Sequence, residues 1–192
     1  MSNWSYPIIP LKDIIESLDA DWQKYTAYLA AALGKPEKAQ QILEGYDRRI
    51  TELKTALSDR YSDKTISVAH VSDKYGTEVY TVNSFLGSIL SDLELQRPQS
   101  QSINKPDGTV KAIFGREVKN SSTVIIFILL LYFWRSRAKM LDSLLNKPLW
   151  KKLKAVQNGQ VYPVDGFTWG VANPLSANAV IDDLYKYLVN IS

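Results

Sequence analysis

Aromatic and arginine side chains cluster at the end of a long apolar run. Residues 124–134 are eleven apolar residues in succession, and the stretch from 132 to 137 spells YFWRSR. Aromatic faces and guanidinium groups together suit a bulky, partly anionic ligand that also carries aromatic groups. In the alternative interpretation, the rings cover the core and the arginines face water. The side chains concerned are Tyr132, Trp134, Arg135 and Arg137.

Several kinds of catalytic chemistry are excluded by composition. The 192 residues include no cysteine, which excludes disulfides, thiolate catalysis and cysteine-bound metals. His70 is the only histidine, so a Ser-His-Asp triad would depend on that single residue. The sequence also lacks a G-x-S-x-G elbow, a P-loop and a G-x-G-x-x-G loop. We therefore predict that the protein is not an enzyme, and we interpret His70 as a partnered core histidine.

The net charge and the length of the apolar run limit which other classes of protein are possible. The net charge of +3 is too small to indicate nucleic-acid binding, and the lysines and arginines are spread along the chain. A membrane helix needs roughly 20 apolar residues, and the run at 124–134 has eleven. Its β-branched, non-alternating start instead predicts a central strand at 123–130, covered on both faces. No secretory signal is visible in the first ten residues, so we expect an intracellular protein or a chain without its leader.

The periodicity of the chain predicts helices first and an α/β lobe afterwards. Helices are expected at 19–34 and 36–57, followed by strands at 65–71 and 78–82 and a helix at 84–94. After the central strand come a helical stretch broken at Pro148, a strand at 160–165, a loop at 166–174 and a final helix at 175–189. The predicted fold class is α/β: a long bridging helix, then one three-layer α/β lobe with a mainly parallel sheet. We expect the helical lead-in to occupy 1–60 and the lobe 61–192.

Three stretches of this sequence resemble a known family. Residues 84–98 contain SFLGSILSDLELQRP, and residues 150–165 follow the pattern W-x-x-L-x-A-V-x-N-G-x-V-Y-x-V-D. Residues 22–57 are similar to the segment that leads into and forms the long helix of the same family. The chain thus resembles the C-terminal lobe and bridging helix of periplasmic iron-siderophore substrate-binding proteins of ABC transporters. The resemblance covers nearly the whole chain from about residue 20.

The resemblance implies a two-lobed clamp that binds its cargo between the lobes. The cargo would be a ferric siderophore, with haem and cobalamin as weaker alternatives. Iron would be held by the siderophore, so that neither a protein metal ligand nor a cofactor is expected. The partners would be the inner-membrane ABC permease and an N-terminal lobe, which we expect to be absent from this chain. The implied location is the periplasm, and the alternative function is an interaction module or fragment that pairs with a separate N-terminal lobe or with itself.

In this family, the loops after four strands of the C-terminal lobe face the cleft. For the aromatic candidates a packing role is the alternative, and it is the favoured one for Tyr75 and Phe85. For the two arginines the alternative is a pair that simply faces water. A carboxylate near the start of the helix after the second strand docks onto the permease, and Ser88 and Asp92 are the residues nearest that place. The ligand-binding candidates that the resemblance implies are Tyr75, Asn83, Phe85, Tyr132, Trp134, Arg135, Arg137, Phe167 and Trp169.

Overall fold

Two helices open the part of the chain that the structure describes. The computed structural model describes residues 21–72, 76–102, 124–131 and 137–190. Helix α1 spans Trp22–Ala32, and the Asp21 side chain caps it by accepting a hydrogen bond from the Lys24 backbone N–H at 2.9 Å. Gly34 has a φ of +66°, a conformation that glycine adopts without strain, and it turns the chain into the next helix.

The long predicted helix is present with the bounds that the sequence indicated. Helix α2 spans Pro36–Leu57, and its 22 residues make a rod of roughly 33 Å. Proline suits the first position because its missing N–H would have no partner there. One stripe of this helix is buried, with Tyr46, Ile50 and Leu53 in the same core as the strand residue Ile66. The predicted division of the chain into a helical lead-in and a lobe between residues 60 and 61 stays a prediction. The long helix shares one hydrophobic core with the sheet of the lobe.

Within the described ranges, four strands form one mixed sheet in the order β2-β1-β3-β4. The strands are β1 (Thr65–Ser72), β2 (Gly76–Val79), β3 (Val124–Leu131) and β4 (Val161–Asp165). Strand β3 is parallel to both neighbours, and β2 is antiparallel to β1. The predicted mainly parallel sheet with the apolar run at its centre is confirmed.

Both faces of the sheet are covered, which explains why the apolar run does not alternate. Ile128 belongs to a core that includes residues of α2 and of the last helix, and the adjacent Leu129 belongs to a second core with Trp150 and Leu153. Neighbouring residues of a strand point to opposite faces, so both need apolar side chains here. Among the helices of the described ranges, none has the length and apolarity needed to cross a membrane.

The remaining helices surround the sheet. They are α3 (Phe85–Asp92), α4 (Arg137–Leu145), α5 (Lys154–Gln157), α6 (Gly166–Trp169) and α7 (Pro174–Leu184), with a π-helical turn at Tyr185–Val189. Helix α3 begins directly after Ser84, which caps it: the Ser84 hydroxyl accepts a hydrogen bond from the Gly87 N–H at 3.0 Å. It ends two residues before the predicted position because Glu94 adopts a left-handed conformation with a φ of 57°.

Candidate ligand-binding edge

Three parallel strands end at one edge of the sheet. His70 of β1 is paired with Leu130 of β3, and Leu130 with Val164 of β4, so the carboxyl ends of these strands lie side by side. We call this the carboxyl edge. In open α/β sheets, ligands bind outside this edge because the loops that follow the strands converge there.

The aromatic and arginine cluster follows β3 in the sequence. Tyr132, Trp134 and Arg135 come directly after Leu131, the last residue of that strand, and lie outside the described residues. Tyr75, between β1 and β2, also lies outside them. Arg137 is the first residue of α4. The ligand contacts expected of these side chains stay a prediction.

Phe167 is an exposed aromatic side chain just beyond the end of β4. Asp165, the last residue of β4, caps α6: its Oδ2 accepts hydrogen bonds from the Thr168 N–H at 2.9 Å and from the Thr168 hydroxyl at 2.6 Å. These two hydrogen bonds from Thr168 hold the chain in a tight turn. The turn leaves 65% of Phe167 exposed. The predicted loop is therefore wrong at 166–169, where a turn of helix forms. An Asp three residues before a Thr is the N-cap pattern that could have indicated it.

Trp169 is a core residue, which contradicts the expectation that its ring faces a ligand. Only 1% of it is exposed, and it packs in the same core as Ile181 and Leu184. Its indole N–H donates a hydrogen bond of 2.8 Å to Asp183 Oδ2. The short helix α6 turns this side chain inward while Phe167, two residues earlier, stays outside.

Asn83 and Phe85 do not lie at the carboxyl edge. Because β2 is antiparallel to β1, the chain returns across the sheet, and the Tyr80 N–H donates to Val68 O, midway along β1. Asn83 accepts a hydrogen bond from the Thr81 hydroxyl at 2.8 Å. Phe85 packs edge-on against Trp22 with ring centroids 6.1 Å apart. The expectation that the segment after β2 lies beside the segments after the other three strands is therefore corrected. Packing is the role that fits Phe85.

The two residues considered for permease docking are bonded within the lobe. The Ser88 hydroxyl donates to the Phe85 carbonyl at 2.8 Å, one turn back in the same helix. Asp92 accepts a hydrogen bond of 2.6 Å from the Tyr46 hydroxyl and so joins α3 to the long helix α2. Burial raises the pKa of Asp92, and the bond from Tyr46 opposes that rise. A docking role for either residue stays a prediction, and it requires a partner that competes with these bonds.

The same contact predicts a pH dependence of stability. Burial, and then the hydrogen bond to Asp92 and the nearby carboxylates, raises the pKa of Tyr46 far above its ordinary value. Above about pH 10 the unfolded chain loses this proton while the folded chain keeps it, so stability falls as the pH rises. We expect a Tyr46→Phe variant to lose less stability than the wild type between about pH 9 and about pH 11. Urea unfolding across that range measures the difference, and parallel curves for the two proteins would contradict the assignment.

A histidine–glutamate pair lies near the carboxyl end of β1. His70 and Glu78 face each other across β1 and β2, and His70 Nδ1 is 3.4 Å from Glu78 Oε2. This pairing agrees with the interpretation of His70 as a histidine with an internal partner. The hairpin register could have indicated Glu78 from the sequence, because residues equally distant from the turn pair with each other. Within the described ranges, His, Asp and Glu side chains form no group of three or more that could hold a metal ion.

The fold agrees with a family match. A family model described as periplasmic binding protein matches residues 14–166. The chain belongs to the periplasmic binding protein family, as the resemblance of its motifs predicted.

Individual relatives are named for iron and siderophore binding. The chain is 29% identical over 181 residues to the probable siderophore-binding lipoprotein YfiY of Bacillus subtilis, with 91% of this chain and 55% of the relative covered. It is 26% identical over 184 residues to the achromobactin-binding periplasmic protein of Dickeya dadantii, with 94% and 58% covered. The chain therefore spans a little more than half the length of these curated relatives.

A solved structure shows the same fold. The triscatecholate siderophore binding protein FeuA of Bacillus subtilis, complexed with ferri-bacillibactin, aligns with a TM-score of 0.73 at 21% identity. The alignment covers 96% of this chain and 69% of FeuA. At this identity, the match establishes the fold alone.

Proposed function

We propose that this chain takes part in the reversible binding of a ferric siderophore and in its delivery to an ABC permease outside the cytoplasm. The observation that carries the proposal is an alignment with a probable siderophore-binding lipoprotein. It covers 91% of this chain at 29% identity. The role is binding and transport rather than catalysis. Iron enters as part of the cargo, so the protein needs no cofactor of its own.

The carboxyl edge supplies the chemistry that such a cargo needs. Arg135 and Arg137 follow β3 and can pair with the carboxylate or catecholate oxygens of a siderophore through charge-assisted hydrogen bonds. Tyr132 and Trp134 accompany them in the sequence, and Phe167 is exposed beyond the neighbouring strand. Aromatic walls with a few charged groups are typical of sites that bind an organic ligand reversibly.

A fluorescence titration tests the binding itself. The purified chain is titrated with ferric catecholate and hydroxamate siderophores, haem and cobalamin, and N-acetyltryptophanamide corrects for light absorbed by the ligand. Trp22, Trp150 and Trp169 are buried, and a coloured ligand can still quench them by energy transfer, so saturable quenching reports binding rather than the place of contact. Saturation by one ligand class supports the proposal and identifies the cargo. A folded chain that responds to none of them contradicts binding by this chain alone.

Phe167 tests where the cargo binds. We expect Phe167→Ala to weaken siderophore binding about five- to tenfold, since an aromatic contact contributes on the order of 1 kcal/mol. Leu149→Ala is the matched control because Leu149 is also exposed, at 49%, and follows α4 rather than β4. Equal affinities of the two variants would remove Phe167 from the site. The chain alone should bind weakly if cargo contacts are shared with a second lobe, and nanomolar affinity would contradict that sharing.

A second candidate function is an interaction module, and the first helix favours it. Tyr28 and Leu29 of α1, and Leu33 directly after it, are exposed although they are large and apolar. Exposed apolar groups of this kind are typical of surfaces that pack against another protein. Light scattering separates the candidates: a monomer that binds a siderophore supports the first, and a stable oligomer without siderophore binding supports the second.

A further inference from the structure

A groove separates the long helix α2 from the start of α7. Its volume is about 490 Å³, within the range of pockets that hold small organic molecules. Ile42 and Leu175 line it, and 40% and 83% of these side chains are exposed. The groove therefore presents apolar surface from two helices, and its described lining shares no residue with the ligand-binding candidates named above.

The groove also holds one positive charge without a counter-ion. Two arginines line it, and its described lining includes no acidic residue. Arg49 is compensated, since it pairs with Asp182 and donates to the side chain of Asn178. Arg48 has Glu44 and Glu52 one turn away on either side, but within the described part of the chain no ion pair joins it to them.

Gly45 has no side chain and therefore leaves space at the bottom of the groove. Glycine inside a helix costs about 1 kcal/mol relative to alanine. No packing contact in the described structure requires it, because a Cβ at this position would meet only Arg48 Nη2, at an ordinary 3.9 Å. The same distance shows that the guanidinium of Arg48 lies over Gly45, and thus over the groove.

We propose that this groove binds a small organic anion with an apolar body. The anionic head would pair with Arg48, and the apolar body would lie on Gly45 between Ile42 and Leu175. Charge complementarity selects the head, because a carboxylate matches the guanidinium fork with two parallel hydrogen bonds. The apolar walls select the body. This groove shares no described residue with the ligand-binding candidates, and the proposal does not rest on siderophore binding.

Calorimetric titration with octanoate tests the site, with octanamide as the uncharged analogue. We expect saturable binding of one octanoate per chain and binding of octanamide at least about tenfold weaker. Arg48→Glu should weaken octanoate binding at least about tenfold, while Lys152→Glu, a charge reversal at an exposed residue outside the groove, should change it less than about twofold. Gly45→Leu should abolish binding by filling the floor, and Gly45→Ala should preserve it.

Three results would overturn the proposal. The first is the absence of saturable octanoate binding to the wild type. The second is an equal effect of Arg48→Glu and Lys152→Glu, which would mean that only net charge matters. The third is a dimer that Arg48→Glu dissociates in light scattering, because the groove would then be occupied by a second copy of the chain. Circular dichroism of Gly45→Leu shows whether α2 is intact, and Arg48→Glu tests the site independently of that variant.

Discussion

Replacing Gly87 with alanine should destabilise the protein by at least about 3 kcal/mol, because α3 lies directly on the backbone of the preceding turn. A Cβ at Gly87 would be 1.9 Å from the Thr81 carbonyl oxygen and 2.7 Å from that of Val82. Both obstacles are backbone atoms and cannot rotate away as a side chain could. The helix would have to move, and the Ser84 cap would weaken with it, because the Ser84 hydroxyl bonds both the Gly87 N–H and the Thr81 carbonyl.

The same substitution at Gly45 is the matched control, since it should act in the opposite direction. Gly45 also lies in a helix, but an added Cβ there has room. Gly45→Ala should therefore stabilise the protein by about 0.5–1 kcal/mol through helix propensity. Urea unfolding of the two variants and the wild type measures both effects. A Gly87→Ala variant within about 1 kcal/mol of the wild type would show that α3 does not approach the Thr81 backbone this closely.

Elements with strong local patterns were predictable from the sequence. Pro36 and the apolar stripe defined α2, because a first-turn proline and a spacing of three to four residues indicate a helix without knowledge of its surroundings. The short apolar run with β-branched and aromatic residues indicated β3, since a strand covered on both faces can use apolar residues at every position. The pattern around Ser84 indicated the start of α3 in the same way.

The positions of site residues depended on contacts that local patterns do not contain. Asn83 and Phe85 were placed at the ligand edge because they follow a strand, and the antiparallel direction of β2 takes them away from it. That direction is set by pairing with β1. Phe167 and Trp169 looked equivalent in sequence, as aromatic residues beside glycines, and only the capped turn at Asp165 separates them.

Family membership and site geometry support different parts of the proposed function. The match over residues 14–166 establishes the class of protein. The proposed cargo contacts involve a few side chains at the carboxyl edge, of which Phe167 is the exposed aromatic beyond β4. Substitutions at that edge should therefore alter binding while leaving stability nearly unchanged. Substitutions in the core should lower stability while leaving binding nearly unchanged. Trp169 separates the two cases most clearly, because the sequence predicts a ligand contact for it and the structure places it in the core.

Replacing Trp169 with alanine should cost about 3–5 kcal/mol of stability, the usual range for a fully buried large aromatic residue. The side chain is 1% exposed and packs in the core formed by the sheet, α2 and α7. Trp169→Phe should cost less, about 1–3 kcal/mol, because it keeps most of the apolar contact but removes the N–H that bonds Asp183. Urea unfolding gives both values, and Phe167→Ala in the same turn should stay within about 1 kcal/mol of the wild type.

A double-mutant cycle isolates the bond between α6 and α7. If Trp169 Nε1 bonds Asp183 as the structure shows, Trp169→Phe and Asp183→Ala should be coupled by about 1–2 kcal/mol, because either change alone already removes the bond. The same Trp169→Phe protein should keep the siderophore affinity of the wild type. A variant with unchanged stability but no siderophore response would place the indole in the ligand site and remove it from the core. Loss of stability with retained binding would leave the recognition of cargo to the exposed residues of the carboxyl edge.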